Sequence, residues 1–492
     1  MKSKSFHSKY NPQSEAERYI ASISLNENAR FFILIEPGHG YMAPPLKKKI
    51  PGAKIIALHV EKQEEARHEG FVDAEWFPET GIPIQDFLER EIPDSEAAEI
   101  QLLEWRPALT VYGQAYLNLI EETVNFIKRA DANTRTVKTF GPRWFRNFFR
   151  NLGVVNKVLL PAPLSCPLLV TGAGPGLETV IPFIRKERER LFILAASSSA
   201  AALKAESLVP DMVISTDGSA WAKFHLYEFF RDSGNGAEEC PLALTLNAAI
   251  PSQAKNSPVL FISDGSLWQT LILGELEIPF VVLPQRGTVS ATALDLAFAL
   301  TKGEVFLAGM DLGNRDIRSH ARPYSFDRFV EEKAGRFAPA YSQTYSRSSM
   351  LKAGGSYGIY ASWFEKQLAA YPKRLHSLGE NNPVFASIET GAQFTEEIKP
   401  RRTRRSTEEN VENRLKLRCP SWPSNSWIRS KTFMNASDHP REALAVLEKA
   451  FSTPDIASKL EKELKALLFG NNPAVSRREL IGKIYSMAGF RE

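Results

Sequence analysis

Seven short apolar runs follow one another in the middle of the chain, and no other feature restricts its fold as strongly. Helix-like or turn-rich stretches separate each run from the next. The runs are residues 168–171, 191–196, 212–216, 242–246, 258–262, 280–283 and 304–308. Strands that are buried on both faces are continuously apolar, and parallel strands need long crossover connections. The pattern therefore predicts an α/β domain with a parallel or mixed sheet that helices cover on both faces.

The first part of the chain has a shorter version of the same pattern. Apolar runs at residues 30–36 and 54–60 flank a turn at residues 37–40 (PGHG) and a helix-like segment, which predicts a βαβ unit. Glu61 follows the second run, where nucleotide-binding folds often place an acid for a ribose hydroxyl. The turn has only two glycines and lacks the GxGxxG spacing, so a purely structural βαβ unit is favoured over a nucleotide site.

The last part of the chain lacks the strand rhythm and has helix periodicity instead. The segments with this periodicity are 441–451, 455–469 and 476–487, with Asp455 and Ser476 as expected caps. A chain of 492 residues is too long for one hydrophobic core. The predicted domains are a smaller N-terminal α/β domain with a linker helix (1–150), the central α/β domain (151–345) and a mainly helical C-terminal region (346–492).

Composition and charge argue against several classes of protein. The net charge is only +4, from 61 basic and 57 acidic residues, which does not favour binding to nucleic acid. The basic segments 143–150 and 401–405 are expected to be an amphipathic linker helix and an exposed loop, with docking of an anionic partner as the alternative. The three cysteines, Cys166, Cys240 and Cys419, are too widely spaced for a disulfide framework or a metal knuckle and predict reduced thiols.

One stretch raises the question of a membrane segment. Residues 158–177 contain no charged side chain, and a transmembrane helix needs about that length. Pro161, Pro163 and Pro167 would break such a helix, so a loop that leads into a buried strand is expected. The N-terminus lacks the apolar core of a secretory signal. We therefore expect a cytoplasmic protein without membrane insertion.

The strongest local signal for a ligand is a glycine-rich turn after a predicted strand. In residues 167–178 (PLLVTGAGPGLE), three alternate glycines, Gly172, Gly174 and Gly176, precede an apolar-periodic helix. Such a turn lets the backbone approach a ligand and directs amides and the positive helix end at phosphate. It lacks the Gly-Lys-Ser/Thr of a P-loop, and Pro175 interrupts the dinucleotide fingerprint. A tight strand–helix turn without a ligand is the alternative.

Polar residues also follow the other predicted strands. They are Ser197, Ser198, Asp217, Thr288, Ser290, Asp311 and, in the loop after the last strand, His320. Ligands of open α/β sheets bind beyond the carboxyl ends of the strands, so these residues predict a site there. The serines have helix capping as an alternative role, and His320 has that of an exposed loop residue. His225 is expected on a helix surface. No spacing typical of metal ligands is present, so no metal is expected.

These motifs resemble those of a known family. The segments GAGPGLE, SSSAAALKAESLVPDMVISTDG, RGTVSATALDLA and GMDL, followed by SHA, occur here in this order. The order resembles the motility-associated factor (Maf) flagellin glycosyltransferases, whose central domain is related to the MptE-like 6-hydroxymethylpterin diphosphokinases. The resemblance covers residues 165–325 well and extends loosely to NPQSEAERYI near the start and to residues 360–365. The family usually has Asn where this chain has Ser197-Ser198, and Gln where it has Met310.

The resemblance implies a Rossmann-like, sialyltransferase-like central domain that uses a CMP-activated nonulosonic acid, such as pseudaminic or legionaminic acid, as donor substrate. The acceptor would be a Ser or Thr hydroxyl of flagellin, in support of flagellar assembly and motility, and no cofactor would be required. His320 would be the general base, because histidine titrates near neutrality. Asp311 would be the second choice, or would orient the loop that carries His320.

The resemblance also implies roles for the remaining residues. The amides at Gly172, Gly174 and Gly176 would hold the nucleotide phosphate. Ser197, Ser198 and Asp217 would orient the ribose and the base. Thr288 and Ser290 would hydrogen-bond the sugar or its carboxylate.

Two other functions stay open. An MptE-like diphosphokinase would use ATP and a pterin, and Mg²⁺ would be needed only in that case. The flanking regions suit a protein acceptor better than a small pterin. A non-catalytic flagellin-binding accessory protein is the third hypothesis, and the departures at Ser197-Ser198 and Met310 favour it.

Overall fold

The computed structural model describes residues 7–62, 71–93, 96, 99–231, 240–313, 318–342, 356–378, 430–432, 436–470 and 474–489. The chain divides into two compact units, residues 1–141 with 465–475 and residues 142–464 with 476–492. Helix α5 (Gln114–Val154) contains the first boundary. The domain boundaries predicted at residues 150 and 345 stay predictions. The basic segment 401–405 and Cys419 lie outside the described residues.

The first unit contains a four-stranded parallel sheet in the order β3-β2-β1-β4. Its elements before α5 are α1 (Pro12–Ser22), β1 (Phe31–Ile35), α2 (Ala43–Lys49), β2 (Lys54–Leu58), β3 (Ala74–Trp76), α3 (Ile84–Glu91), β4 (Ile100–Glu104) and α4 (Pro107–Tyr112). All five residues of β1 are buried, as a continuously apolar strand requires. The predicted βαβ unit is confirmed as β1, α2 and β2. Glu61 accepts a hydrogen bond from the Tyr112 hydroxyl at 3.1 Å.

The second unit contains a ten-stranded sheet. Along it the strands follow the order β13-β12-β6-β7-β8-β9-β10-β5-β14, and β11 also pairs with β10. Its strands are β5 (Lys157–Leu159), β6 (Leu168–Thr171), β7 (Phe192–Ala196), β8 (Met212–Ser215), β9 (Leu242–Thr245), β10 (Val259–Ser263), β11 (Phe280–Val282), β12 (Val305–Ala308), β13 (Leu375–Leu378) and β14 (Ser430–Thr432). Neighbouring strands are parallel except β14, which is antiparallel to β5. The mixed α/β fold is therefore confirmed, and each of the seven apolar runs forms one of the strands β6–β12.

Helices lie between many of these strands and after the last of them in the described part of the chain. They are α6 (Leu177–Glu187), α7 (Ser197–Ala205), α8 (Lys223–Phe230), α9 (Leu267–Glu275), α10 (Val289–Leu300), α11 (Asp327–Lys333), α12 (Ser356–Ala370), α13 (His439–Phe451), α14 (Pro454–Phe469) and α15 (Arg477–Ala488). The apolar helix α10 packs across β6 and β7, and its buried Leu294 belongs to the same core cluster as Leu168 and Leu194. This packing anchors the helix over the centre of the sheet.

The amphipathic helix and the C-terminal helices agree with the sequence pattern in most respects. In α5, Phe145 and Phe148 are buried and pack against Trp268, with ring centroids 5.2 and 4.8 Å apart. Ser476 caps α15 in a capping box with Glu479. The expected cap at Asp455 is wrong, because α14 begins at Pro454 and Asp455 lies in its first turn.

The uncharged stretch 158–177 forms β5, β6 and the glycine turn, so the expected loop and buried strand are confirmed. Within the described ranges, no helix combines the length and the apolarity that crossing a membrane would require. Cys166 and Cys240 are buried, and the Cys240 thiol donates to Pro210 O at 3.4 Å.

Candidate functional site

The carboxyl ends of β6 and β12 form the topological switch point of the larger sheet. After β6 the chain moves outward through β7, β8, β9 and β10, and β12 then pairs with β6 on its other side. Thr171 at the end of β6 lies opposite Ala308 at the end of β12. Ligands of open α/β sheets bind in the crevice that opens where the strand order reverses. The glycine turn and the segment that contains Asp311 both begin at this point.

The three glycine amides of the turn already donate hydrogen bonds within the protein. Gly172 N–H donates to Ala308 O at 2.8 Å, and Gly174 N–H donates to Gly309 O at 2.8 Å. Gly176 N–H donates to the carboxylate of Asp311, at 2.9 Å to Oδ1 and 3.0 Å to Oδ2. Phosphate binding by these amides stays a prediction, and it would require that these bonds be exchanged.

The close approach of Asp311 explains why the turn contains glycine. A Cβ atom at Gly174 would lie against Asp311 Oδ2 and 2.7 Å from Gly309 O, and one at Gly176 would lie 2.5 Å from Asp311 Oδ1. Asp311 thus places a negative charge at the N-terminus of α6, where the helix dipole stabilises it. In this arrangement its carboxylate occupies the position that a phosphate would take.

The segment after β12 is tied to the glycine turn and carries His320 there. Ala321 N–H donates to Ala173 O at 2.8 Å. Arg318 forms an ion pair with Glu178 of α6 at 3.0 Å, and Arg322 N–H donates to the same carboxylate at 3.0 Å. The structure therefore brings His320, 144 residues further along the chain than Gly176, to the turn that precedes α6.

The His320 ring is held from two sides. Its Nδ1 lies 2.8 Å from Ser319 Oγ, and its ring stacks on Tyr324 with centroids 3.8 Å apart and an interplanar angle of 8°. The ring is half-buried. A hydrogen bond at Nδ1 fixes the orientation of an imidazole, which a general base requires, and the Ser319 hydroxyl serves either tautomer because it both donates and accepts.

A cavity of about 470 Å³ opens beyond the carboxyl end of β8. Its lining residues come from the segment after β8, from α8 and from the segment after His320: Asp217, Ser219, Trp221, Ala222, His225, Tyr324 and Phe326. Asp217 is exposed, and its two carboxylate oxygens accept hydrogen bonds from Ser219 N–H at 2.7 Å and Ser219 Oγ at 3.1 Å. The volume is in the range of sites for small ligands.

The sequence predicts that His225 lies on a helix surface, but the structure also places it at the cavity. It lines the cavity, and its ring packs against Phe326 and Tyr324 at centroid distances of 4.9 and 5.5 Å. Because Tyr324 also stacks on His320, a row of three rings, His225, Tyr324 and His320, leads from the cavity toward the glycine turn.

The serines predicted as ligand groups begin α7. Ser197 is buried and Ser198 is half-buried, and neither lines the cavity. The next residue, Ser199, is buried beside Thr171, and their hydroxyl oxygens are 2.9 Å apart. That contact ties β6 to α7.

Thr288 and Ser290 lie at the start of α10 and are half-buried, outside the residues that line the cavity. Beside them, Arg286 forms an ion pair with Asp295 at 2.7 Å and lies over the Trp363 ring at 5.2 Å. Burial raises the pKa of the Asp295 carboxyl, and the hydrogen bond from Arg286 opposes that shift. No group of three or more His, Cys, Asp or Glu side chains within the described ranges has a geometry that could hold a metal ion.

Sequence reasoning identified one end of the site and missed the aromatic end. Trp221 follows Asp217 by four residues, and Tyr324 and Phe326 follow His320 by four and six residues. The clustering of aromatic residues just after two polar strand ends was the available signal. The assembly of these residues depends on contacts across about 100 positions of sequence, which a local pattern does not contain.

Comparison with known proteins identifies the central region. Residues 143–316, about a third of the chain, match the family model described as 6-hydroxymethylpterin diphosphokinase MptE-like. The predicted relationship of the central domain to this family is therefore confirmed. An uncharacterized protein of Treponema pallidum (strain Nichols) is 30% identical over 288 residues, which are 58% of this chain and 61% of that relative. The chain thus spans less than two thirds of the relative's length.

Among solved structures, the Maf glycosyltransferase from Magnetospirillum magneticum AMB-1 aligns with 97% of this chain and 83% of its own chain. The TM-score is 0.49 and the sequence identity is 12%. A likeness this distant does not by itself transfer an activity.

Proposed function

We propose that this chain is a glycosyltransferase that moves a CMP-activated nonulosonic sugar onto Ser or Thr hydroxyls of flagellin in the cytoplasm. The observation that carries the proposal is the course of residues 318–326. This segment is bonded to the glycine turn through Ala321 and contributes Tyr324 and Phe326 to the cavity. One segment thus contacts the glycine turn, carries the candidate base and contributes two rings to a cavity of ligand size.

The chemistry needs a base near the acceptor and a stabilised leaving group. His320 would take the proton of the acceptor hydroxyl while its oxygen forms a bond to the anomeric carbon. The bond between that carbon and the phosphate oxygen breaks, and its electron pair leaves with CMP. The contact between Ser319 Oγ and His320 Nδ1 supports this role, because it orients the ring, and Nε2 would be the basic nitrogen if Nδ1 carries the proton and donates to Ser319.

The remaining residues have roles in donor binding under this proposal. Asp217, with Ser197 and Ser198, would orient the base and ribose, and Thr288 and Ser290 would hydrogen-bond the sugar or its carboxylate. Phosphate binding at the amides of the glycine turn would require Asp311 to give up its bond to Gly176.

A diphosphokinase is the second candidate, because the matching family model carries that description. Such an enzyme binds a triphosphate, and phosphates need cationic or amide partners. Asp217 contributes a negative charge to the cavity, and none of its other described lining residues is a lysine or an arginine. The lining therefore suits a sugar or a base better than a triphosphate, so the phosphates of either donor would have to bind outside this cavity.

The test is the intact mass of flagellin after co-expression with this chain in a host that makes the CMP-activated sugar. We expect flagellin to gain whole multiples of the sugar residue mass with the wild-type chain, and to gain none with His320→Ala. Arg328→Ala is the matched control, because Arg328 is an exposed residue of α11 outside the cavity.

Two outcomes would contradict the proposal. One is unmodified flagellin with the wild-type chain. The other is the formation of AMP from ATP when Mg²⁺ and 6-hydroxymethylpterin are present, which would identify the diphosphokinase instead.

A further inference from the structure

Trp221 is a large aromatic side chain that the fold leaves open to solvent beside a carboxylate. It is 59% exposed, although Phe224, Phe326 and Phe329 surround it with ring centroids 5.7 to 6.4 Å away. The Phe329 ring meets the indole edge-on, at an interplanar angle of 87°. The neighbouring rings thus fix the indole from one side, and part of its surface remains available to a flat ligand.

Asp217 lies in the same cavity and is held in a defined orientation. Both of its oxygens accept hydrogen bonds from Ser219, which fixes the carboxylate after β8. Each carboxylate oxygen has a second lone pair, so Asp217 still accepts from a ligand. Because an ionised carboxylate donates nothing, the ligand group beside it must be a donor.

We propose that this cavity binds an amine-bearing nucleobase, which stacks on Trp221 and donates its exocyclic amine to Asp217. The proposal deepens the proposed function and rests on it, since it assumes that the nucleotide of the donor binds in this cavity. Stacking on an aromatic side chain accepts any base, because every base has a π-face. The carboxylate supplies the selection.

The selection follows from the edges of the bases. Cytosine and adenine present an exocyclic amino group, which donates to a carboxylate. Uracil presents a carbonyl oxygen at the position of the cytosine amine, and that oxygen would face a negative charge. Asp217 therefore favours cytosine over uracil, and it excludes a phosphate from the same position.

The experiment is calorimetric titration of the full chain with CMP and with UMP. We expect CMP to bind roughly 10-fold more tightly than UMP, the discrimination typical of one good contact to a base edge. Asp217→Asn keeps an oxygen for Ser219 N–H and adds an amide donor, so it should weaken CMP, strengthen UMP and bring their ratio near one. Trp221→Ala should weaken both nucleotides roughly 10-fold, and Trp221→Phe should restore most of the loss.

Two control variants separate these effects from changes in the fold. Phe337 is 98% exposed, and Asp455 is exposed in the first turn of α14, and neither lines the cavity. Phe337→Ala and Asp455→Asn should leave both affinities unchanged.

Equal affinity for CMP and UMP, or a ratio that Asp217→Asn leaves intact, would overturn the inference. The absence of binding by either nucleotide would overturn it as well. The flagellin mass experiment decides the proposed function separately, because sugar transfer by a chain that treats CMP and UMP alike would refute only the base-selecting role of Asp217.

Discussion

The contact between the glycine turn and Asp311 predicts a large effect for one small substitution. In Gly174→Ala, the added Cβ would collide with Asp311 Oδ2 and lie 2.7 Å from Gly309 O. Gly309 O is a backbone atom that already accepts the Gly174 N–H, so it does not move away without loss of that bond. The substitution therefore has to displace Asp311 and also move the backbone of Gly309 away from the turn.

The magnitude follows from two contributions. Overpacking by one methyl group costs about 1–3 kcal/mol in a well-packed region. Displacement of Asp311 also removes its hydrogen bond to Gly176, and bonds to charged groups contribute about 1.5–3 kcal/mol. Because one movement relieves part of both, we expect Gly174→Ala to lower the free energy of unfolding by about 2–4 kcal/mol.

The assay is urea unfolding, with hydrogen exchange of peptides from β6 and α6 to assign the transition to the second unit. Gly274→Ala is the matched control, because Gly274 is exposed in α9 and its added Cβ would meet no atom within 4 Å. In a helix that change stabilises by about 1 kcal/mol. Equal stability of the Gly174→Ala and Gly274→Ala variants would refute the reasoning.

A second arm isolates the part of the cost that Asp311 causes. In an Asp311→Ala background the carboxylate is absent, so Gly174→Ala should cost about 1–2 kcal/mol less than in the wild type. It should still cost something, because Gly309 O remains 2.7 Å from the added atom. Strict additivity of the two substitutions would show that the side-chain collision is not the cause.

Three further substitutions test the energetics of the second unit. Arg188 pairs with the buried Asp211 at 2.9 Å, so Arg188→Ala should lower the free energy of unfolding in urea by about 3 kcal/mol. The exposed pair of Arg185 should matter by less than about 1 kcal/mol in Arg185→Ala, and equal costs would contradict this view. Burial raises the pKa of Glu463, so its contribution to stability is present at low pH and is lost as pH rises through that raised pKa. In thermal melts the stability of Glu463→Gln relative to the wild type should therefore increase from pH 4 to pH 7, and a difference independent of pH would contradict the assignment.

The sequence predicts most of the second unit's sheet because burial on both faces makes its strands continuously apolar. Strands β6–β12 follow the apolar runs to within one residue or so at each end. It does not predict β13, because Leu375–Leu378 contains only two apolar residues, and two polar residues separate them. Nor does it predict β5, a strand of three residues just before a proline-rich stretch. Such strands form because a neighbouring strand offers them hydrogen bonds, and that partner is distant in the chain.

In the site, too, the sequence predicts what local residues determine and misses what a distant partner determines. Asp311 is the clearest example. The alternation of Gly172, Gly174 and Gly176 after a buried strand correctly identifies a place where another group approaches the backbone closely. The pattern does not identify the acceptor that bonds to the Gly176 N–H, because the Asp311 carboxylate is 135 residues further along the chain. A phosphate and an aspartate meet the same requirement, since both offer negatively charged oxygens to the N-terminus of a helix. The strand order decides between them in this structure, because it places β12 beside β6 and so brings Asp311 to the turn. Any phosphate that binds there must therefore compete with a carboxylate that the fold itself supplies, and its affinity would be the difference between two similar interactions rather than the full value of one.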